Sequence, residues 1–281
     1  MRLLTWNVQW CRGLDGIVDP ARIAREARRI AEPDVLCLQE INVGFADLPG
    51  SQGENQVEAL KREFPGYFIF FAAAVDIAGN EGSRERFGNL IASRFPVGRV
   101  LRHTLPWPRA KVPSMPRAAL EVIIQAPFGA LRIITTHLEY YSSGHRAAQI
   151  ERLRELHAET NRENERSELA AQAEGPFQPL PHPDSAIACG DFNLPPEDPL
   201  RGRFLEAFLE DTPKFVDAWE ALHAGEAHPP TFRVHQREAG ESPYCCDYVF
   251  VTEDLQPRLR SILVDADNRA SDHQPVVVEL A

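Results

Sequence analysis

The sequence predicts an α/β fold, and three observations carry that prediction. Short apolar runs of four to seven residues alternate with stretches of helical periodicity. Some of these runs, Val35–Leu38 above all, are apolar throughout, as strands covered on both faces are. The 281 residues, 43% hydrophobic and 25% charged, suffice for a globular core that removes about three quarters of the unfolded surface from water.

Taken in order, Leu3–Trp6 reads as the first strand. Asp19 to Glu32 reads as a helix, because Ile23, Ala27 and Ile30 fall on one face. Asp19 suits its N-cap and Pro20 its first turn, and Pro33 stops it. Val35–Leu38 follows as a central strand. Further strands are expected at Tyr67–Ala72, Asn89–Ser93, Ala118–Ile124, Leu131–Thr136, Ser185–Cys189, Tyr248–Val251, Ser261–Val264 and Val276–Leu280. Gly144 to about Ala171 reads as a long polar helix on the surface. Gly175–Pro183, with four prolines in nine residues, reads as an irregular loop. No repeat occurs and no pattern restarts after that loop, so one domain spanning 1–281 is expected.

Charge and cysteine usage narrow the function. Thirty Lys+Arg against 41 Asp+Glu give a net charge of −11, which argues against a protein that grips duplex nucleic acid by neutralising many phosphates. Five cysteines without a CxxC pair, in or beside apolar runs, suit a reduced, cytoplasmic protein. The opening residues lack a secretion pattern, and no apolar run reaches the length of a membrane span. A monomer is expected.

The chemistry candidates cluster at strand ends: Asn7, Glu40, His137, Asp191 and Asn193 after predicted strands, Asp247, Asp272 and His273 before them. Any one alone suits a turn or a cap. Six strand ends all carrying Asn, Asp, Glu or His suggest oxygen ligands for a hard cation and imidazoles facing a phosphoryl group.

The motifs Thr5-Trp6-Asn7, Leu38-Gln39-Glu40, Thr136-His137-Leu138, Gly190-Asp191-Phe192-Asn193, Asp247-Tyr248-Val249-Phe250 and Ser271-Asp272-His273 resemble, in type and order, those of the endonuclease/exonuclease/phosphatase superfamily. That group includes deoxyribonuclease I-like and exonuclease III-like nucleases, inositol-phosphate phosphatases and sphingomyelinases. Gly88-Asn89 before Leu90–Pro96 is similar to another of its segments. The resemblance spans residues 5 to 273 and implies a deoxyribonuclease I-like four-layer sandwich, two packed mixed sheets flanked by helices. It also implies a Mg²⁺ or Mn²⁺ ion held by Glu40, with Asn7 nearby and Asp272 as a further acidic ligand. Asp191 would orient or deprotonate water, and Asn193 would hold phosphate or nucleophile. His273, supported by Asp247, and His137 would face the phosphate.

Two departures stand out. Cys245-Cys246 occupies the place where the family often has Arg and an aliphatic residue, and Gln9 stands where repair-type nucleases often carry Asp. Arg117 lies where some members place a phosphate-binding arginine. Arg146 and Gln149 are expected to be structural, Tyr140 and Tyr141 to be half-buried packing residues with stacking on a substrate ring as the alternative, and His103, His145, His157, His182, His223, His228 and His235 to be surface or packing residues. The expected activity is metal-dependent hydrolysis of a phosphodiester or phosphomonoester, on a small metabolite, a lipid headgroup or a short nucleic acid. The alternatives are a nuclease acting on DNA ends or lesions and a non-catalytic module that binds a phosphorylated ligand.

Overall fold

The computed structural model describes residues 1–169, 175, 182–208, 211–235 and 242–281. The proline-rich loop therefore lies outside the described residues except at Gly175, His182 and Pro183, and so does the expected helix end beyond Leu169. In chain order the elements are β1 (Arg2–Asn7), α1 (Pro20–Ala31), β2 (Val35–Val43), α2 (Gln56–Glu63), β3 (Phe68–Ala78), β4 (Arg84–Ser93), β5 (Val97–Thr104), β6 (Ala118–Ala126) and β7 (Gly129–His137). They continue with α3 (Ser143–Leu169), β8 (Ala186–Asp191), α4 (Pro199–Leu205), β9 (Phe215–Asp217), α5 (Ala218–Leu222), β10 (Asp247–Thr252), β11 (Leu259–Val264) and β12 (Val276–Leu280).

The strands form two six-stranded mixed sheets, ordered β11-β12-β1-β2-β4-β3 and β5-β6-β7-β8-β10-β9. Successive side chains in a strand point to opposite faces, and here both faces are apolar. Leu3 and Cys37 meet Ile133, Cys189 and Val249 between the sheets. Leu4, Leu36 and Leu38 turn outward onto Ile23 and Ala27 of α1 and Leu60 of α2. Ile134, Ala188 and Phe250 turn outward from the second sheet onto Ile150 and Leu153 of α3 and Phe204 of α4. Helix, sheet, sheet and helix give the four layers.

Each sheet has one parallel pair near its centre, β1 with β2 and β7 with β8, while every other pairing is antiparallel. Gln39 ties the two pairs together: its Nε2 donates to Thr5 Oγ1 at 3.2 Å and to Thr135 Oγ1 at 2.8 Å. As the sequence suggests, Asp19 caps α1 by accepting the Arg22 N–H, and α1 ends at a left-handed Glu32 just before Pro33.

The structure revises the sequence reading in three places. β5, β9, α2, α4 and α5 are additional elements, and β3 and β4 outrun their apolar runs. The long helix α3 lies in an outer layer as expected, but its polar residues do not all face water. It buries His145, Gln149, Arg154 and His157, whose side chains bond the carbonyls of Pro108, Pro106, Phe204 and Pro213 and so anchor irregular segments to the sheet. Three of the histidines set aside above instead serve a buried ionic cluster. Glu121 accepts Arg132 Nε at 2.7 Å and bonds His182 and His103 at 3.0 and 2.9 Å, while Arg132 Nη1 meets His157 Nδ1 at 3.1 Å. Among the described residues, no helix is long and apolar enough to cross a membrane.

Candidate active site

The two parallel pairs end at the same edge of the sandwich, where Asn7 is level with Gln39 and His137 with Asp191. Glu40 is not beyond β2, as the sequence suggested, but within it at a bulge. The register with β4 shifts between Leu38 and Ile41, and Glu40 takes a left-handed φ of 63°. A bulge re-aims a side chain, and this one brings the carboxylate to Asn7. Asn7 Nδ2 donates to Glu40 Oε1 at 3.1 Å and to Asp191 Oδ2 at 3.0 Å.

Asp191 depends on Gly190. A Cβ at Gly190 would stand 2.0 Å from the Thr136 carbonyl oxygen, and its φ of 131° is closed to other residues, so β8 can lie this close to β7 only with glycine. Beyond Asp191, Asn193 turns left-handed at φ 51°. Its backbone N–H bonds Asp191 Oδ1 at 2.9 Å and its Nδ2 bonds the Leu138 carbonyl at 2.9 Å.

The loop before β12 closes on this edge. Ser271 Oγ donates to the Asn7 carbonyl at 2.8 Å, and Trp6 Nε1 donates to the His273 carbonyl at 2.9 Å. Asp272 and His273 are thereby fixed beside Glu40 and Asp191. His273 Nδ1 lies 2.9 Å from Asp247 Oδ2, and its Nε2 lies 3.8 Å from Asp191 Oδ2. His137 approaches Glu40 through Nδ1 at 3.8 Å and Asp191 through Nε2 at 3.4 Å.

Two positioning residues escaped the sequence reading. Thr231 Oγ1 donates to Asp247 Oδ2 at 2.6 Å and accepts the N–H groups of Cys246 and Asp247, each at 3.1 Å. Gln9, noted only as a departure, donates from Nε2 to Asp272 Oδ2 at 2.7 Å. It begins a run of three left-handed residues, Gln9, Trp10 and Cys11, held by the Gln9 N–H on Asn7 Oδ1 and by Gln56 on the Trp10 carbonyl. Nothing local in the sequence marks Thr231; the tight turn after the first strand is the one signal for Gln9.

Burial and mutual charge set the ionisation states. Burial, then the nearby Asp272, push the Glu40 carboxyl up to about 7. Burial, then Asp247, raise Asp191 to about 6. Burial alone would lower His273, but Asp247 and Asp191 outweigh it and raise the ring to about 10, so it is an imidazolium. Burial, Arg117 and His273 together hold His137 well below its ordinary value, so it is neutral. Arg117 is itself buried: its Nε lies 3.6 Å from Glu139 Oε2, and its Nη1 has no hydrogen-bond partner.

All of these groups meet at a cleft of about 490 Å³. Seven of the nine expected site residues line it, Glu40, Arg117, His137, Asp191, Asn193, Asp272 and His273, while Asn7 and Asp247 stand directly behind them. Tyr140 and Tyr141 also line it. They are 38% and 63% exposed and meet edge to face at 4.9 Å, so the reading of them as half-buried packing residues is corrected. Arg146 and Gln149 shape that turn, Arg146 by donating to the Glu139 and Tyr140 carbonyls and Gln149 by accepting the Glu139 N–H. Cys245 and Cys246 are buried. Asp191, Cys246 and His273 offer a second possible metal set, with ligand atoms within 4.8 Å of one another. A cation there would need a thiolate at Cys246, whose thiol is pushed up by burial and by Asp247, and a deprotonated His273, whereas the oxygen set of Glu40, Asp272 and Asn7 needs neither.

No curated protein matches the chain in sequence. In structure it is similar to an endonuclease/exonuclease/phosphatase from Beutenbergia cavernae DSM 12333, at 23% identity and a TM-score of 0.68, covering 100% of this chain and 72% of that one. D. rerio TDP2 complexed with single strand DNA product is similar at 19% identity and a TM-score of 0.66, covering 100% and 98%. A Bacteroides thetaiotaomicron mannosyl-6-phosphatase is similar at 16% identity and 0.64, covering 100% and 99%. The profile of the Endonuclease/Exonuclease/phosphatase family matches residues 4–273, from β1 to the histidine that closes the cleft, and the chain belongs to that family.

Proposed function

We propose that this chain is a divalent-metal-dependent phosphoesterase that hydrolyses a phosphodiester or phosphomonoester by in-line attack of water. One observation carries the reading: an oxygen-donor cluster, an imidazolium paired with a carboxylate, and the buried Arg117 all line one cleft or stand directly behind it.

The residues fit the ion that the family implies. Burial and the neighbouring Asp272 both disfavour the charge on Glu40, so this corner is short of positive charge. Oxygen donors around such a deficit suit Mg²⁺ or Mn²⁺, held by Glu40 and Asp272 with Asn7. When bound, the ion supplies positive charge to the phosphoryl oxygens as the leaving group departs.

The protein's own groups supply the rest. Asp191 is fixed at both oxygens, Oδ1 by the Asn193 N–H and Oδ2 by the Asn7 amide, and serves as the base that takes a proton from water. His273 commits Nδ1 to Asp247 and directs its Nε2 proton to a non-bridging phosphoryl oxygen. The unpartnered Nη1 of Arg117 binds a second oxygen. Neutral His137 adds a donor beside Asp191. Asn193, with one amide hydrogen on Leu138, keeps its other polar positions for phosphate or nucleophile.

The test is hydrolysis of nitrophenyl phosphoesters, supercoiled plasmid, abasic duplex and phosphoinositides with Mg²⁺, Mn²⁺ or EDTA. At least one ester should turn over with metal, and Glu40→Gln should lower that rate by orders of magnitude while leaving the circular dichroism spectrum unchanged. Full activity in EDTA after metal stripping would overturn the reading.

A further inference from the structure

Above its polar floor the cleft is built from carbon. Phe45 and Leu48 reach it from the loop after β2, and Met115 from the segment before β6. Val75 and Phe87, cross-strand partners in the β3–β4 hairpin, complete that side. From the second sheet come Tyr140 and Tyr141, and Phe232 lies with its ring 4.5 Å from that of His273. Among the described residues lining the cleft, Arg117 is the sole lysine or arginine, and it sits at the floor. A strand of nucleic acid brings a further phosphate with each nucleotide and needs cations along its path. A sugar phosphate brings hydroxyls that need polar partners when they are buried. These walls carry no cation, and their polar groups are few: the two tyrosine hydroxyls, with the Gln9 amide and the Trp10 indole N–H already bonded to Asp272 and the Pro49 carbonyl.

We propose that the cleft selects a phosphoester whose single phosphoryl group carries an apolar organic group, aliphatic or aromatic. The inference rests on the phosphoesterase reading of the floor but concerns the walls. The phosphoryl group occupies the floor, and the organic group leaves water against Leu48, Val75, Phe87 and the two tyrosines.

Binding measures the walls without turnover. Methyl-, butyl-, hexyl- and phenylphosphonate are titrated calorimetrically into the protein with Mg²⁺, beside glycerol 1-phosphate and a thymidine dinucleotide. A fully buried methylene is worth about fourfold in affinity, so Kd should fall at least tenfold from methyl- to butylphosphonate. Phenylphosphonate should bind more tightly than glycerol 1-phosphate. Leu48→Ser and Tyr141→Ser should flatten the series; Tyr141 is 63% exposed, so its loss does not threaten folding. A flat series in the unaltered protein, or a dinucleotide that binds more tightly than hexylphosphonate, overturns the inference. Hydrolysis of the matching nitrophenyl alkyl esters runs in parallel. A steep binding series without metal-dependent hydrolysis overturns the catalytic reading alone, and hydrolysis with a flat series overturns this inference alone.

Discussion

Replacing Gly190 with alanine tests whether the spacing of β7 and β8 sets the catalytic geometry. The added Cβ would lie 2.0 Å from the Thr136 carbonyl oxygen, and real Cβ contacts essentially never fall below 3.0 Å. The strands must therefore separate locally by 3.0 − 2.0 = 1.0 Å. Thr136 and Gly190 are register partners immediately preceding His137 and Asp191, whose side chains now stand 3.4 Å apart, so the displacement passes directly into the site. A misplacement of about 1 Å costs on the order of 10²-fold in rate. Backbone strain at φ 131° adds about 1–3 kcal/mol and the forced repacking a similar amount. The variant should lose about 2–6 kcal/mol in guanidinium unfolding and about 10²-fold in kcat/KM on the best ester of the panel. Gly202 in α4 is the control: nothing lies within 4 Å of its Cβ position, so Gly202→Ala should be neutral or stabilising by up to about 1 kcal/mol. A Gly190→Ala protein with kcat/KM within threefold of the parent and unchanged stability would refute the reasoning.

The pair His273 and Asp247 should act as one device. Each single replacement, His273→Ala or Asp247→Asn, should lower kcat/KM by about 10²-fold or more, and the double variant should be little worse than the worse single; fully additive losses would separate their roles. Glu121→Gln leaves the guanidinium of Arg132, fully buried, without its carboxylate, and should cost about 3–5 kcal/mol in urea unfolding; a loss below about 1 kcal/mol would mean that the cluster is solvated. Acid should destabilise the same cluster. Glu121 is held well below the ordinary carboxylate range by His103, His182 and Arg132 against its burial, and His157 is held at about 4 by burial and Arg132. Both groups therefore bind protons more readily unfolded, so their contribution is full above about pH 6.5 and falls as pH drops toward 4, by about 3 kcal/mol for His157 alone, while the raised carboxyls of Glu40 and Asp191 contribute in the opposite sense. The difference in unfolding free energy between the parent and His157→Gln isolates the cluster, and a difference that stays constant from pH 7 to 4.5 would contradict this. Binding to duplex DNA should show a shallow dependence of log K on log salt, since each phosphate contact contributes a slope of about −0.9; a slope near −6 would reveal a basic groove.

The central strands were legible in the sequence because both of their faces are buried. Leu3, Leu4, Leu36, Cys37 and Leu38 have to be apolar whichever way they point. β5 was not, because it is an edge strand whose residues alternate between partly buried and exposed, leaving no apolar run. The site residues were visible by type and by their place at strand ends, and the family pattern supplied their order. The bulge at Glu40 was hidden, since a left-handed glutamate is imposed by pairing with β4 rather than by local preference. Thr231 and Gln9 were hidden for a related reason. Their partners, Asp247 and Asp272, lie 16 and 263 positions away, and no periodicity reports such a contact. The buried polar face of α3 misled for the opposite reason, because its polarity serves loop carbonyls and not water.

The stitching of β1 to the C-terminal end of the chain has a consequence for biosynthesis. β1 lies between β2 and β12, its Trp6 and Asn7 are tied to His273 and Ser271, and the amino group of Met1 donates to the Leu280 carbonyl. β1 thus leaves the ribosome long before β12 and waits for it before this edge is covered. Until then the nascent chain carries Asn7 and Glu40 without Asp272 or His273, so the cleft cannot assemble. Contacts across such sequence separations also slow folding. Pulsed hydrogen exchange during refolding should find the β1 amides facing β12 among the last to gain protection.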